Sequence, residues 1–261
     1  MSTEELIIDL FCRVDAVLGD EPKHPQAKLY PSETVTRALL YALKGTGGRA
    51  FYRWLCRDYR PLFPALPERT RLFRLFVAHR AWADRFLGEP TLLGIADSYG
   101  VELRHPRRHG RVPGQLGRKG LSNRRWIAGG KLCVLVNRWG RIVAWDAATA
   151  NVHDGTLHPL IARFADRTVV LADGNFHRAV GDPANLKLCA RGRWPQRILV
   201  ETVFSLLTRV CHLKHTAHRA WAAFQMHLAF AVAVFNLLVA WDRLRADAQG
   251  GTHLTLARFS L

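Results

Sequence analysis

LLGIAD, residues 92–97, is an apolar run of strand length that stops on a carboxylate, and TVVLAD, residues 168–173, repeats the pattern. A carboxylate at the end of a buried strand is held at the sheet margin, where it can meet a hard cation through oxygen without being buried unpaired. Between the two runs lie KLCVLVN (131–137) and RIVAWDAAT (141–149), both β-branched or apolar and separated by the turn signal Asn137-Arg138-Trp139-Gly140. That spacing predicts a hairpin. DGTLHPLIARF (154–164) then predicts a short helix interrupted early by Pro159. The order strand, hairpin, helix, strand, helices predicts an α/β fold with a sheet of mixed sense. If the first and fourth strands are neighbours, Asp97 and Asp173 come together.

A third carboxylate follows in RILVETVFSLL, from residue 197. At helical spacing Val200, Phe204, Leu207 and Cys211 share one face, suited to packing on a sheet. Glu201, Ser205, Thr208 and His212 share the adjoining face, with Arg197 one turn before Glu201. Asp97, Asp173 and Glu201 thus form a candidate oxygen site for a pair of Mg²⁺ ions. Asp154 is better suited to capping the segment it opens. Gly129-Gly130-Lys131 lacks the rest of a phosphate-binding P-loop, so no ATP site is expected.

Upstream, residues 1–88 predict helices throughout. Ser2 and Glu5 have capping-box spacing, and Leu6, Ile7, Leu10, Phe11, Val14, Val17 and Leu18 follow a 3.6-residue period. A second helix opens at Pro31 and stops at Gly45; a third carries Arg49, Arg53 and Arg57 as one stripe beside Phe51 and Trp54; a fourth spans 68–78. Short helices with basic outer faces suit a helix-turn-helix DNA reader and equally suit a bundle whose arginines are merely solvated.

Across the 261 residues, 38 lysines and arginines face 21 aspartates and glutamates, a net charge of +17. Such an excess points to a polyanionic partner. It is densest between Arg104 and Lys131, where Arg107, Arg108, Arg111, Arg118, Lys119, Arg124, Arg125 and Lys131 occur with no acid among them. Glycines and prolines there predict an irregular loop leaving the Asp97 strand, which would deliver its charge to the rim of the carboxylate site. The five cysteines are scattered and show no CxxC pair, as expected of reduced thiols in a cytosolic protein. His212, His215 and His218 lack a thiol or acid to complete a zinc set and suggest a basic helix face. MSTEELIIDL opens with acids, unlike a secretory leader. Residues 221–241 are long and apolar enough to span a bilayer, but are rich in alanine and carry Gln225, His227 and Asn236, so a buried helix of a soluble core is expected.

Taken in order, IADSYG at Asp97, the block GGKLCVLVNRWGRIVAWDAATANVHD, LADGNFH at Asp173 and RILVETVFSLL at Glu201 resemble the insertion-sequence DDE transposases, and the stretch from Glu201 to Leu238 is similar to the end of one group of small bacterial enzymes of this kind. The resemblance covers most of the chain. It implies an RNase H-like mixed sheet flanked by helices over 89–245, an all-helical DNA-binding region over 1–88 and a tail over 246–261. It further implies Mg²⁺, with Mn²⁺ as a substitute, held by Asp97, Asp173 and Glu201 for cleavage and strand transfer. The implied partners are double-stranded DNA, the element's terminal inverted repeats and target DNA, bound by a homodimer in the cytoplasm at the nucleoid, with no membrane. A nuclease of the same fold and a silent transposase-derived DNA-binding protein are the alternatives. Related enzymes carry a Tyr, Arg, Glu, Lys series; Arg197 and Glu201 match it, whereas Trp194 and Thr208 depart. Arg197 would grip a phosphate or pair with Glu201. The Asp173–Glu201 interval is short for the group, which implies a missing sheet-edge segment, carboxylates still within metal-bridging reach, and weak transposition.

Overall fold

The structure, a computed structural model, describes residues 2–105, 107, 116–122, 125–190, 196–214, 218–242, 245–246, 252–253, 259 and 261. Arg108, Arg111, Arg124, Trp194, His215 and most of the 246–261 tail lie outside the described residues.

The four expected helices are present. α1 (Thr3–Leu18) begins with a capping box in which the Glu5 N–H donates to Ser2 Oγ at 3.2 Å and the Ser2 N–H to Glu5 Oε2 at 2.7 Å. Leu6, Ile7, Leu10, Val14 and Leu18 are buried, but Phe11 and Val17, at the edges of the apolar stripe, remain 36% and 39% exposed. α2 (Pro31–Lys44) uses Pro31 at its first turn, where a missing N–H costs nothing, and ends at Gly45. α3 (Gly48–Asp58) buries Phe51 and Leu55 and turns Arg49, Arg53 and Arg57 to solvent. α4 (Arg69–Ala78) is capped by the Glu68 carboxylate, which accepts from the Thr70 and Arg71 N–H groups. A 3-10 stretch, Arg80–Phe86, leads to the sheet.

The sheet is curled, mixed and flanked by helices. β1 (Leu93–Arg104), β2 (Arg118–Ser122), β3 (Arg125–Asn137), β4 (Ile142–Thr149), β5 (Val169–Ala172) and β6 (Leu186–Leu188) are ordered β2-β3-β1-β5-β6, with β4 also on β3. β2 and β4 follow one another along the outer edge of β3, opposite residues 125–129 and 130–136. β3 is antiparallel to β1, β2 and β4, whereas β1, β5 and β6 run parallel. The expected β3–β4 hairpin turns through Gly140, whose φ of +76° disfavours any other residue.

Two expectations are corrected here. Asp97 lies within a twelve-residue strand, not at its end, because β1 stays paired with β3 through Arg104, opposite Ala128. Its second half, SYGVELR, mixes polar and apolar residues, which conceals a strand that has water on one side. The basic segment is likewise not irregular throughout: Arg118–Ser122 and Arg125–Lys131 are paired strand, since ladder hydrogen bonds outweigh the local composition. The interval before Glu201 supplies its own sheet edge, β6, which the sequence pattern did not disclose.

α5 (His158–Ala162), preceded by a 3-10 turn at Asp154–Leu157, covers one face of the sheet over Ala96, Cys133, Leu135, Val170 and Ala172. The other face meets α6 (Arg197–Arg209) and α7 (Trp221–Asp242), and a single apolar cluster runs from that face through α7 into α1, α2 and α4. α7 is the one helix among the described residues long and apolar enough to cross a membrane, but 83% of its apolar window is buried within the fold, consistent with a soluble protein. Its Asn236, fully buried, donates to the carbonyls of Phe86 (3.0 Å) and Ile142 (2.7 Å) and accepts from the Ile142 N–H (2.8 Å). One amide thus ties α7 to the end of the helical region and to β4. His212 and His218 do not share a helix face: α6 ends at Arg209, His212 has φ +49°, and His218 lies half-buried against His227, their ring centres 5.2 Å apart. The five cysteines are unbridged, Cys133 and Cys211 buried and Cys12 and Cys56 exposed.

Candidate active site

β1 and β5 pair in parallel with Ile95 opposite Leu171, so two residues further on Asp97 and Asp173 leave the paired region side by side. β5 stops at Ala172 while β1 continues, which opens a crevice at the carboxyl end of β5 beside the middle of β1; ligands of an α/β sheet usually sit at carboxyl ends of strands. Each aspartate is held by its neighbours. Asp97 Oδ1 accepts from the Ser98 N–H at 2.8 Å; Asp173 Oδ1 accepts from the Asn175 N–H at 3.0 Å and Oδ2 from the Asn175 amide at 3.2 Å.

α6 closes the crevice. Val200, Val203, Phe204 and Leu207 are buried against the sheet, with the Phe204 ring stacked on Tyr99 at 4.9 Å. That docking leaves Arg197 and Glu201 above the aspartates. The Arg197 guanidinium meets all three carboxylates: Nε to Glu201 at 3.0 Å, one terminal nitrogen to Asp173 at 3.8 Å, the other to Asp97 at 3.9 Å. Arg197 therefore pairs with Glu201, one of its two expected roles, and reaches both aspartates as well.

A fourth carboxylate enters the same cavity, which holds about 420 Å³. Asp154 does not cap its turn, since that position belongs to His153, whose Nδ1 accepts from the Gly155 N–H at 3.1 Å. Asp154 instead pairs with Lys131 Nζ at 2.7 Å, each side chain 12% exposed. A buried pair of this kind loses solvation as it gains Coulomb energy, so it specifies position more than it stabilises. The NVHD block was the only sequence signal for it. Burial is the main cause that pushes the Asp97 carboxyl up to about 6, and nearby Asp173 and Asp154 add to it, while the Ser98 N–H and Arg197 oppose it.

The other sequence-predicted cations among the described residues are dispersed. Arg107 is exposed beyond β1, Arg118 and Lys119 are exposed on β2, and Arg125 opens β3 in an ion pair with Glu102. Lys131 is turned inward to Asp154 rather than standing at the rim.

The donors fit a hard divalent ion in kind, being carboxylate oxygens only, with one of them desolvated and raised in pKa. Among the described residues, however, no three His, Cys, Asp or Glu side chains converge closely enough to hold a metal ion as they stand. The Arg197 guanidinium lies among the three carboxylates. Compared with protein-family models, curated proteins and solved structures, the chain matches none.

Proposed function

We propose that the chain is a DDE transposase of an insertion sequence, with an RNase H-like catalytic region that cuts DNA at terminal inverted repeats and joins the freed end to target DNA. The observation that carries this reading is the gathering of Asp97, Asp173 and Glu201 around one cation, where the carboxyl end of β5 lies beside the middle of β1. Strand order agrees with it: with β2 set aside, the sheet runs β4-β3-β1-β5-β6 and β3 alone is reversed. The net charge of +17 supports a DNA partner.

In this reading Asp97, Asp173 and Glu201 hold Mg²⁺ or Mn²⁺, which supplies an activated attacking oxygen and a stabilised leaving oxygen. Ser98 and Asn175 hold the two aspartates in place. Arg197 turns from the carboxylates to the phosphate, where its planar fork can bind two oxygens. Arg118 and Lys119 of β2, together with Arg107, Arg108, Arg111 and Arg124, meet flanking phosphates. The helical region reads the repeat, two copies pair the element's ends, and the protein works in the cytoplasm at the nucleoid.

Incubating the protein with Mg²⁺ and its flanking genomic repeats, then mapping strand breaks, tests the reading. Breaks at the repeat ends with joining to target support it; breaks without joining indicate a nuclease. Binding without breaks indicates a silent DNA-binding protein.

Arg197→Gln should raise Mn²⁺ affinity of the DNA-free protein by about tenfold, since three part-exposed ion pairs of roughly 0.5 kcal/mol each would no longer compete. Calorimetry showing unchanged affinity would remove Arg197 as the competitor. Neutralising Arg107, Arg108 and Arg111 together should weaken duplex binding whatever the sequence. Each lost phosphate contact should lower the slope of log K against log salt by about 0.9. An unchanged slope would shift DNA binding to the helices.

A further inference from the structure

A groove of about 1290 Å³ opens from the carboxylate crevice, sharing Leu121, Asp154, Asp173, Arg197 and Glu201 with it, and β2 and the start of β3 form one of its walls. On that wall Leu121 and Trp126 are directly paired across the strands and left bare, 59% and 55% exposed. Lys119, two residues from Leu121 and so on the same face, places its ammonium 4.9 Å from the centre of the Trp126 ring. An indole half in water costs apolar hydration that a folded chain ordinarily avoids.

The platform is braced. A Cβ at Gly120 would stand 2.0 Å from the Ala150 carbonyl oxygen, so only glycine lets β2 lie this close to the turn after β4. Trp126 is therefore fixed relative to the carboxylates and not carried on a free arm.

We propose that Trp126 is a stacking platform for an unpaired base of the DNA strand whose backbone enters the carboxylate crevice, with Lys119 meeting the adjoining phosphate. The occupant follows from the wall's chemistry: a flat π-face edged by a cation, with Arg118 and Arg125 exposed on the same hairpin, matches a base attached to a phosphate. Every base has a π-face, so the platform would be tolerant of sequence and selective for unpaired bases. This inference rests on the DNA reading above.

The test compares the full chain with its Trp126→Ala and Trp126→Phe variants in Ca²⁺, on fully paired duplexes and on duplexes with two unpaired bases at one end, one of them 2-aminopurine. Base–aromatic stacking is worth about 1–3 kcal/mol. The wild type should prefer the unpaired end by about tenfold and change 2-aminopurine emission on binding. Trp126→Ala should lose both while keeping its affinity for paired duplex; Trp126→Phe should keep most of the preference. An unchanged preference in Trp126→Ala overturns the proposal and leaves the DNA reading standing. A wild type that binds neither DNA overturns both. A change in oligomeric state on Trp126→Ala, with the preference intact, would show that a second copy covers the indole and also overturns it.

Discussion

Asp97→Asn should abolish metal-dependent strand cleavage and at the same time make the metal-free protein more stable at neutral pH. The loss follows from removing an anionic oxygen from a site where charge stabilisation is worth several kcal/mol, a fall of about 10³-fold or more. The gain follows from the raised carboxyl, which stands at about 6 against an ordinary 3.8 because burial disfavours its charge. At 1.36 kcal/mol per pH unit this corresponds to about 2–3 kcal/mol of destabilisation above pH 6. The native state binds the Asp97 proton more tightly than the unfolded chain does. Its cost is therefore absent below about pH 3.8, develops as pH rises through about 6, and is complete at pH 7. Asparagine keeps an oxygen to accept from the Ser98 N–H and carries no charge. Urea unfolding in EDTA should show the variant's advantage at pH 7.5 and little advantage at pH 4. A variant less stable than wild type at pH 7.5 would mean that Arg197 compensates the charge fully, and near-normal cleavage would remove Asp97 from the site.

Asn236→Ala should destabilise the fold by about 2–5 kcal/mol, a large share of the total for a typical domain. The loss leaves the Phe86 carbonyl and the Ile142 N–H short of a partner in a dry interior, each at roughly 1–3 kcal/mol, while the Ile142 carbonyl keeps the Gly88 N–H at 2.8 Å. Part is recovered as neighbouring side chains relax into the space. Because one amide ties α7 to β4 and to the end of the helical region, unfolding should also become less cooperative, with a lower urea dependence. A loss under 1 kcal/mol would show that water reaches these groups and that the bracket is not structural.

Local pattern disclosed the elements whose reasons are local. The Ser2–Glu5 cap, the stripe of α1, Pro31 and Gly45 bounding α2, and the Gly140 turn are each set by residues within a few positions of one another. The buried runs around Ile95, Val134 and Val170 were legible as strands because they are apolar on both faces. The outer half of β1, β2 and β6 were not: each is exposed on one side or at an edge, so its pattern is mixed and its partner is remote. Lys131 shows the same limit for the site, since nothing near it in sequence indicates that it would turn inward to Asp154 and not outward to DNA.

What the sequence determined alone was the set of parts: an α/β chain with a helical start, an excess of positive charge, and carboxylates at positions 97, 173 and 201 with Arg197 one turn before the last. Only the tertiary structure decided how they meet. The parallel register of β1 and β5 set Asp97 beside Asp173, the docking of Phe204 on Tyr99 set Glu201 above them, and Arg197 came to lie among all three. The reason is range. Caps and turns depend on backbone groups a few residues away, whereas the charge around a carboxylate depends on which distant segments the burial of α6 and α7 presses against the sheet.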